Sequence, residues 1–192
     1  QFVWTGFDYL GEPTPYDEYW PSRSSYFGIC DLAGLPKDRY YLYRSQWNRK
    51  DHTLHILPHW NWKRGDEVPV MVYTDFPEAE LFLNGRSLGR QKKQPYTISS
   101  GTAEQTKSLV ETKALLRRYR LIWDAVKYEP GELRVVAYDA EGRPAMEKTM
   151  RTAGAPVALK LEADCSAIKA GGDDLSFITV SMLDSRGTLC PD

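Results

Sequence analysis

Aromatic rings and carboxylates crowd the first twenty residues: Trp4, Phe7, Tyr9, Tyr16, Tyr19 and Trp20 stand among Asp8, Glu12, Asp17 and Glu18. Aromatic faces fit the C–H faces of sugar rings, and carboxylates accept hydrogen bonds from sugar hydroxyls. Asp8, Tyr9 and Glu12 are therefore candidate polar contacts to a sugar, although loop carboxylates also cap turns or face water. Tyr16, Tyr19 and Trp20 form an aromatic patch that either shapes a cleft or packs a rim. Pairing Asp8 with Glu12, or Glu12 with Asp17, as an acid and a base fails for want of a rigid scaffold or a raised pKa. No residue is assigned a catalytic role.

Metal chemistry finds little support. With residues 54–57 as a strand, His55 and His59 share a parity that His52 does not, so the three histidines do not converge. The three cysteines, Cys30, Cys165 and Cys190, show no Cys-x-x-Cys spacing, which argues against zinc. A Cys165–Cys190 bridge in an oxidising compartment is left open. No metal and no cofactor is expected.

The elements that must carry these residues fall into three segments. Over 1–50 a short apolar strand, Phe2 to Trp4, leads into the aromatic loop and then a helix. Pro36 marks the first turn of that helix, and Tyr40, Tyr43 and Trp47 share one face. Over 51–153 the period becomes strand-like, with runs at 54–57, 68–74, 79–83, 119–123, 133–138 and 144–150 bounded by turn residues. Asn84-Gly85 between two such runs is a strong hairpin signal. A helical insertion is read near 102–118, opened by Thr102-Ala-Glu-Gln105 in capping-box form. Over 154–192, Gly154-Ala-Pro156 reads as a short linker, followed by strands at 157–163 and 175–183 and a turn at 185–187 toward a third. Strand number and turn chemistry predict a mainly β chain: an immunoglobulin-like antiparallel sandwich with further strands after it.

At 192 residues the chain allows one or two domains and is too short for a complete (β/α)₈ barrel of about 250 residues. Its net charge of −1 carries no field that would steer nucleic acid or an anionic membrane, and neither is expected as a partner. The basic residues from Lys113 to Arg120 read as a solvated helix face. No apolar run approaches the roughly 20 residues of a membrane helix. No basic-then-apolar leader is present, as expected of a piece from within a precursor.

Phe2-Val-Trp-Thr-Gly-Phe-Asp-Tyr-Leu-Gly-Glu-Pro-Thr-Pro-Tyr16, continued by Trp20-Pro-Ser-Arg-Ser-Ser-Tyr-Phe-Gly28, resembles the last barrel strand of family 2 glycoside hydrolases, the gut-bacterial β-galactosidases above all. Leu54-His-Ile-Leu-Pro-His-Trp-Asn-Trp62, Glu80-Leu-Phe-Leu-Asn-Gly85 and Tyr128-Glu-Pro-Gly-Glu-Leu-Arg-Val-Val-Ala-Tyr138 resemble the sandwich that follows that barrel. Lys169-Ala-Gly-Gly-Asp-Asp-Leu-Ser-Phe-Ile-Thr-Val180 is similar to the opening of the next one. The resemblance implies a C-terminal piece of a retaining hydrolase of terminal β-linked sugars: a barrel remnant (1–50), an accessory sandwich (51–153) and a truncated second sandwich (154–192). It implies that Trp4 walls the site of the cleaved sugar. The two catalytic glutamates would lie upstream of Gln1, so the piece alone is expected to be inactive. Its implied partners are a carbohydrate substrate and an upstream catalytic barrel, in a periplasmic or secreted setting. It also implies that Trp60 and Trp62 form a seam against the barrel rather than an exposed sugar platform. A carbohydrate-binding module or a structural spacer is the alternative.

Overall fold

The structure, a computed structural model, describes residues 2–11, 24–95 and 109–191, with side chains from 114 onward in the last stretch. Glu12, Tyr16, Tyr19, Trp20 and the expected helix start at Thr102 lie outside the described residues.

Alternation of buried and exposed side chains builds the centre of the molecule. In β2 (Glu67–Thr74), β3 (Glu78–Leu83) and β6 (Glu132–Tyr138), every second residue turns inward: Val68, Val70 and Val72, then Ala79, Leu81 and Leu83, then Leu133, Val135 and Ala137. Two antiparallel sheets face each other across this core. One has the order β1 (Leu54–Leu57), β2, β5 (Leu121–Lys127); the other runs β4 (Arg86–Lys92), β3, β6, β7 (Pro144–Arg151). Seven strands in two packed sheets make the expected immunoglobulin-like sandwich. The Asn84-Gly85 turn joins β3 to β4 with both residues at positive φ, 50° and 80°, as a primed hairpin turn requires.

Trp60 corrects an expectation. It lies beyond β1, outside any strand, so strand parity does not pair it with Trp62. Its indole is buried in the sandwich core, packs edge-on against Tyr128 at 5.1 Å and donates to the Glu129 carbonyl at 3.2 Å. Trp62 stays partly exposed, with its ring flat against His59.

The contact between the first segment and the sandwich is made elsewhere. Helix α1 (Asp38–Trp47) packs on the outer face of β1 and β2. Tyr41 stacks on His55 at 3.9 Å, His55 Nε2 meets Asp38 Oδ1 at 2.6 Å, and Lys148 from β7 lies over the Tyr41 ring at 5.8 Å. Burial pushes the Lys148 ammonium below its ordinary pKa and the Tyr73 phenol above its own. His52 pairs with Asp75 and His59 with Trp62, so each histidine has its own partner.

Three boundaries differ from the sequence reading. Phe2 to Trp4 is not a strand: backbone pairing begins only at Thr5 and Gly6, whose carbonyls accept from Ile29 and Cys30. Helix α2 (Leu109–Tyr119) takes Tyr119, so β5 starts at Leu121. The Asp164 carboxylate holds the Phe177 amide and the Ser176 hydroxyl, and the strand begins after them, at Ile178.

Beyond the sandwich, β8 (Pro156–Ala163) and β9 (Ile178–Asp184) form one antiparallel hairpin. Val157, Leu159 and Leu161 share a face with Ile178, Val180 and Met182, and that face is exposed. After the turn at 185–187 the chain bridges back to β9 through Leu183 and Leu189. All three cysteines are free thiols.

Candidate functional site

Residues 5–9 run alongside residues 25–30, and this pairing sets the loop that carries the candidate side chains. Asp8 N–H donates to the Cys30 carbonyl at 3.0 Å, and Tyr9 exchanges bonds with Ser25 through both its N–H and its carbonyl. The two segments approach so closely that a Cβ on Gly28 would sit 2.3 Å from the Asp8 nitrogen. Only glycine fits there.

Asp8 is buried at the centre of the loop. Its Oδ1 accepts from the Gly28 amide at 2.8 Å and faces the Ser25 hydroxyl at 3.5 Å, while Oδ2 forms an ion pair with the Lys37 ammonium. Burial opposes the carboxylate, but Lys37, the Gly28 amide and Ser25 outweigh it and hold the pKa below the ordinary value. The carboxylate is thus turned into the protein and ties the loop to the start of α1. This is a positioning role.

Trp4 as a residue is 75% exposed and Tyr9 partly so. The Trp4 indole N–H donates to the Tyr9 hydroxyl at 3.3 Å. Tyr9 in turn meets Phe27 edge-on at 5.8 Å. The ensemble is an open aromatic ledge with a phenol beside it, suited to stacking against a ring and hydrogen-bonding its hydroxyls. The sequence reading brought Trp4, Asp8 and Tyr9 into one loop; it missed Gly28, Ser25 and Lys37, the groups that fix the loop. Lys37, directly ahead of α1, is a cation whose buried partner no local pattern betrays.

Two further features bear on function. An apolar groove of about 480 Å³ runs beside α1, lined by Gly6, Ile29, Cys30, Tyr40, Tyr43 and Trp47 among others. On the four-stranded sheet, the Arg90 guanidinium lies over the Tyr138 ring and that of Arg134 over Phe82. Among the described residues, no three His, Cys, Asp or Glu side chains gather as a metal site would need, and no helix is long and apolar enough to cross a membrane.

This architecture defines a β-sandwich segment with an aromatic loop and helix docked on one sheet. Residues 65–146 match a family described as a domain of unknown function, DUF4982. A β-galactosidase of Bacteroides ovatus is 46% identical over 193 residues, covering 100% of this chain and 20% of that protein. A β-glucuronidase of Bacteroides fragilis is 36% identical over 98 residues, covering 50% of this chain and 14% of the other. A solved glycosyl hydrolase family 2 member from Bacteroides cellulosilyticus superposes with a TM-score of 0.79 at 28% identity, covering 98% of this chain and 26% of that one. The chain belongs to the family 2 glycoside hydrolases and is a segment of such a protein, spanning a fifth or less of the length of these two curated relatives.

Proposed function

We propose that this segment completes the substrate subsite of a retaining glycosidase that removes a terminal β-linked sugar, a galactoside by first preference. The observation that carries this reading is the Trp4–Tyr9 ledge, exposed on a loop that Asp8, Gly28 and Lys37 hold rigid. In it, residues 1–50 end a catalytic barrel, 51–153 form the accessory sandwich and 154–192 open a further one. The apolar groove beside α1 and the bare apolar face of the β8–β9 hairpin support that division, since both need covering by a further layer. Lys37, a cation that a sugar acid would seek, is already engaged by Asp8, which favours a neutral sugar. Retaining hydrolysis needs two carboxyl groups about 5–5.5 Å apart; Asp8 is tied to Lys37, and the pair is assigned to the barrel that precedes this segment.

The test is Trp4→Ala in the longer protein, assayed on aryl β-galactosides and aryl β-glucuronides. Stacking contributes about 0.5–1.5 kcal/mol, and lost positioning adds to it. kcat/KM on the preferred sugar should fall at least about tenfold, or 1.4 kcal/mol. A folded variant with unchanged kcat/KM would refute the role. A second reading, a free-standing carbohydrate-binding module at Trp62, is weakened because His59 already covers that ring at 4.9 Å. Saturable binding of sugars by the segment, lost in Trp62→Ala, would favour it.

A further inference from the structure

Residues 152–154 connect the sandwich to the β8–β9 hairpin, and their backbone groups are all engaged. Thr152 N–H donates to the Gly131 carbonyl at 2.9 Å, and its carbonyl accepts from Arg186 at 2.8 Å. Asn61 holds Ala153 by both its groups: its Oδ1 accepts from the amide and its Nδ2 donates to the carbonyl, each at 2.9 Å. Gly154 N–H donates to Asp184 Oδ2 at 2.8 Å, and the Gly154 carbonyl faces the Cys190 thiol at 3.6 Å. The hydroxyl of Thr152 donates to the Trp60 carbonyl at 2.8 Å, which anchors the stretch to the sandwich core.

The two grips come from opposite sides. Asn61 belongs to the sandwich segment, and its amide closes a pair of bonds on Ala153 like a strand partner. Asp184 ends β9 on the hairpin side. Besides Gly154, its Oδ1 takes the amides of Arg186 at 2.9 Å and Thr188 at 2.8 Å, so one buried carboxylate organises the 184–188 turn and holds the connection. A carboxylate sharing several backbone N–H donors is held more firmly than a neutral acceptor would be.

We infer that residues 152–154, gripped by Asn61 and Asp184, form a rigid joint that fixes the direction in which the hairpin presents its apolar face of Val157, Leu159, Leu161, Ile178, Val180 and Met182. The joint sets how that face is oriented to the sandwich. Gly-Ala-Pro here is a fitted splice rather than a swivel.

Residual dipolar couplings of backbone amides in the whole chain test this directly. One alignment tensor should fit β2, β3 and β6 together with β8 and β9. In Asn61→Ala and in Asp184→Asn, couplings in β8 and β9 should fall to about half or less while those of β2, β3 and β6 keep their values. Asn61→Ala leaves the 184–188 turn intact, so it decides the matter even if Asp184→Asn unfolds the hairpin. Reduced hairpin couplings in the unaltered chain, or unchanged couplings in Asn61→Ala, would overturn the joint.

Discussion

Asp8 shows how one residue's chemistry reverses when its neighbours are known. As an aromatic-loop carboxylate it reads as a sugar contact; buried against Lys37, Gly28 and Ser25, it is the loop's anchor. Its pKa lies below 3.8 in the folded protein, so its contribution to stability is present above that value and lost as pH falls through the lower folded one. The Gly28 amide resonance, followed from neutral pH into acid, should therefore titrate with a midpoint below the ordinary aspartate value. A midpoint above the ordinary aspartate value would contradict the ion pair. Lys37→Met should strand the carboxylate and lower stability by about 1–3 kcal/mol, read as a shift in the urea midpoint at constant m.

At the scale of elements, the β3–β4 turn and the start of β6 lock together through one side chain. Asn84 Oδ1 accepts from the Glu132 amide at 2.8 Å, and Nδ2 donates to the Pro130 carbonyl at 3.2 Å. Gly131 sits at φ +140°, where a Cβ would lie 1.9 Å from Asn84 Oδ1. Gly131→Ala should thus cost about 1–3 kcal/mol in urea unfolding, through backbone strain and the displaced Asn84. A change below about 0.5 kcal/mol would show that Asn84 gives way freely. The strands of this core were legible because period-2 burial and primed-turn residues are local signals, readable from Val68-Pro-Val-Met-Val or Asn84-Gly85 alone. What failed depended on partners. Phe2-Val-Trp looks like a strand but finds no pairing, Trp60 turns inward because its segment leaves the strand, and the true seam of Tyr41, His55 and Lys148 joins residues far apart in the chain.

Among the described residues, a closed core contrasts with the groove beside α1 and the exposed apolar face of the hairpin. A two-stranded hairpin with one bare apolar face is marginal on its own and invites association. Leu161→Glu should reduce self-association of the isolated segment in sedimentation velocity while leaving the sandwich's unfolding midpoint unchanged; unaltered association would place the contact elsewhere. In the proposed reading, a longer glycosidase continues over these faces and receives its sugar at the Trp4 ledge. The most direct measurement is turnover of an aryl β-galactoside by the purified segment beside the longer protein that contains it. The account predicts background hydrolysis by the segment and turnover by the longer protein. Turnover by the segment alone, abolished by changing Asp8 or Glu12, would contradict it.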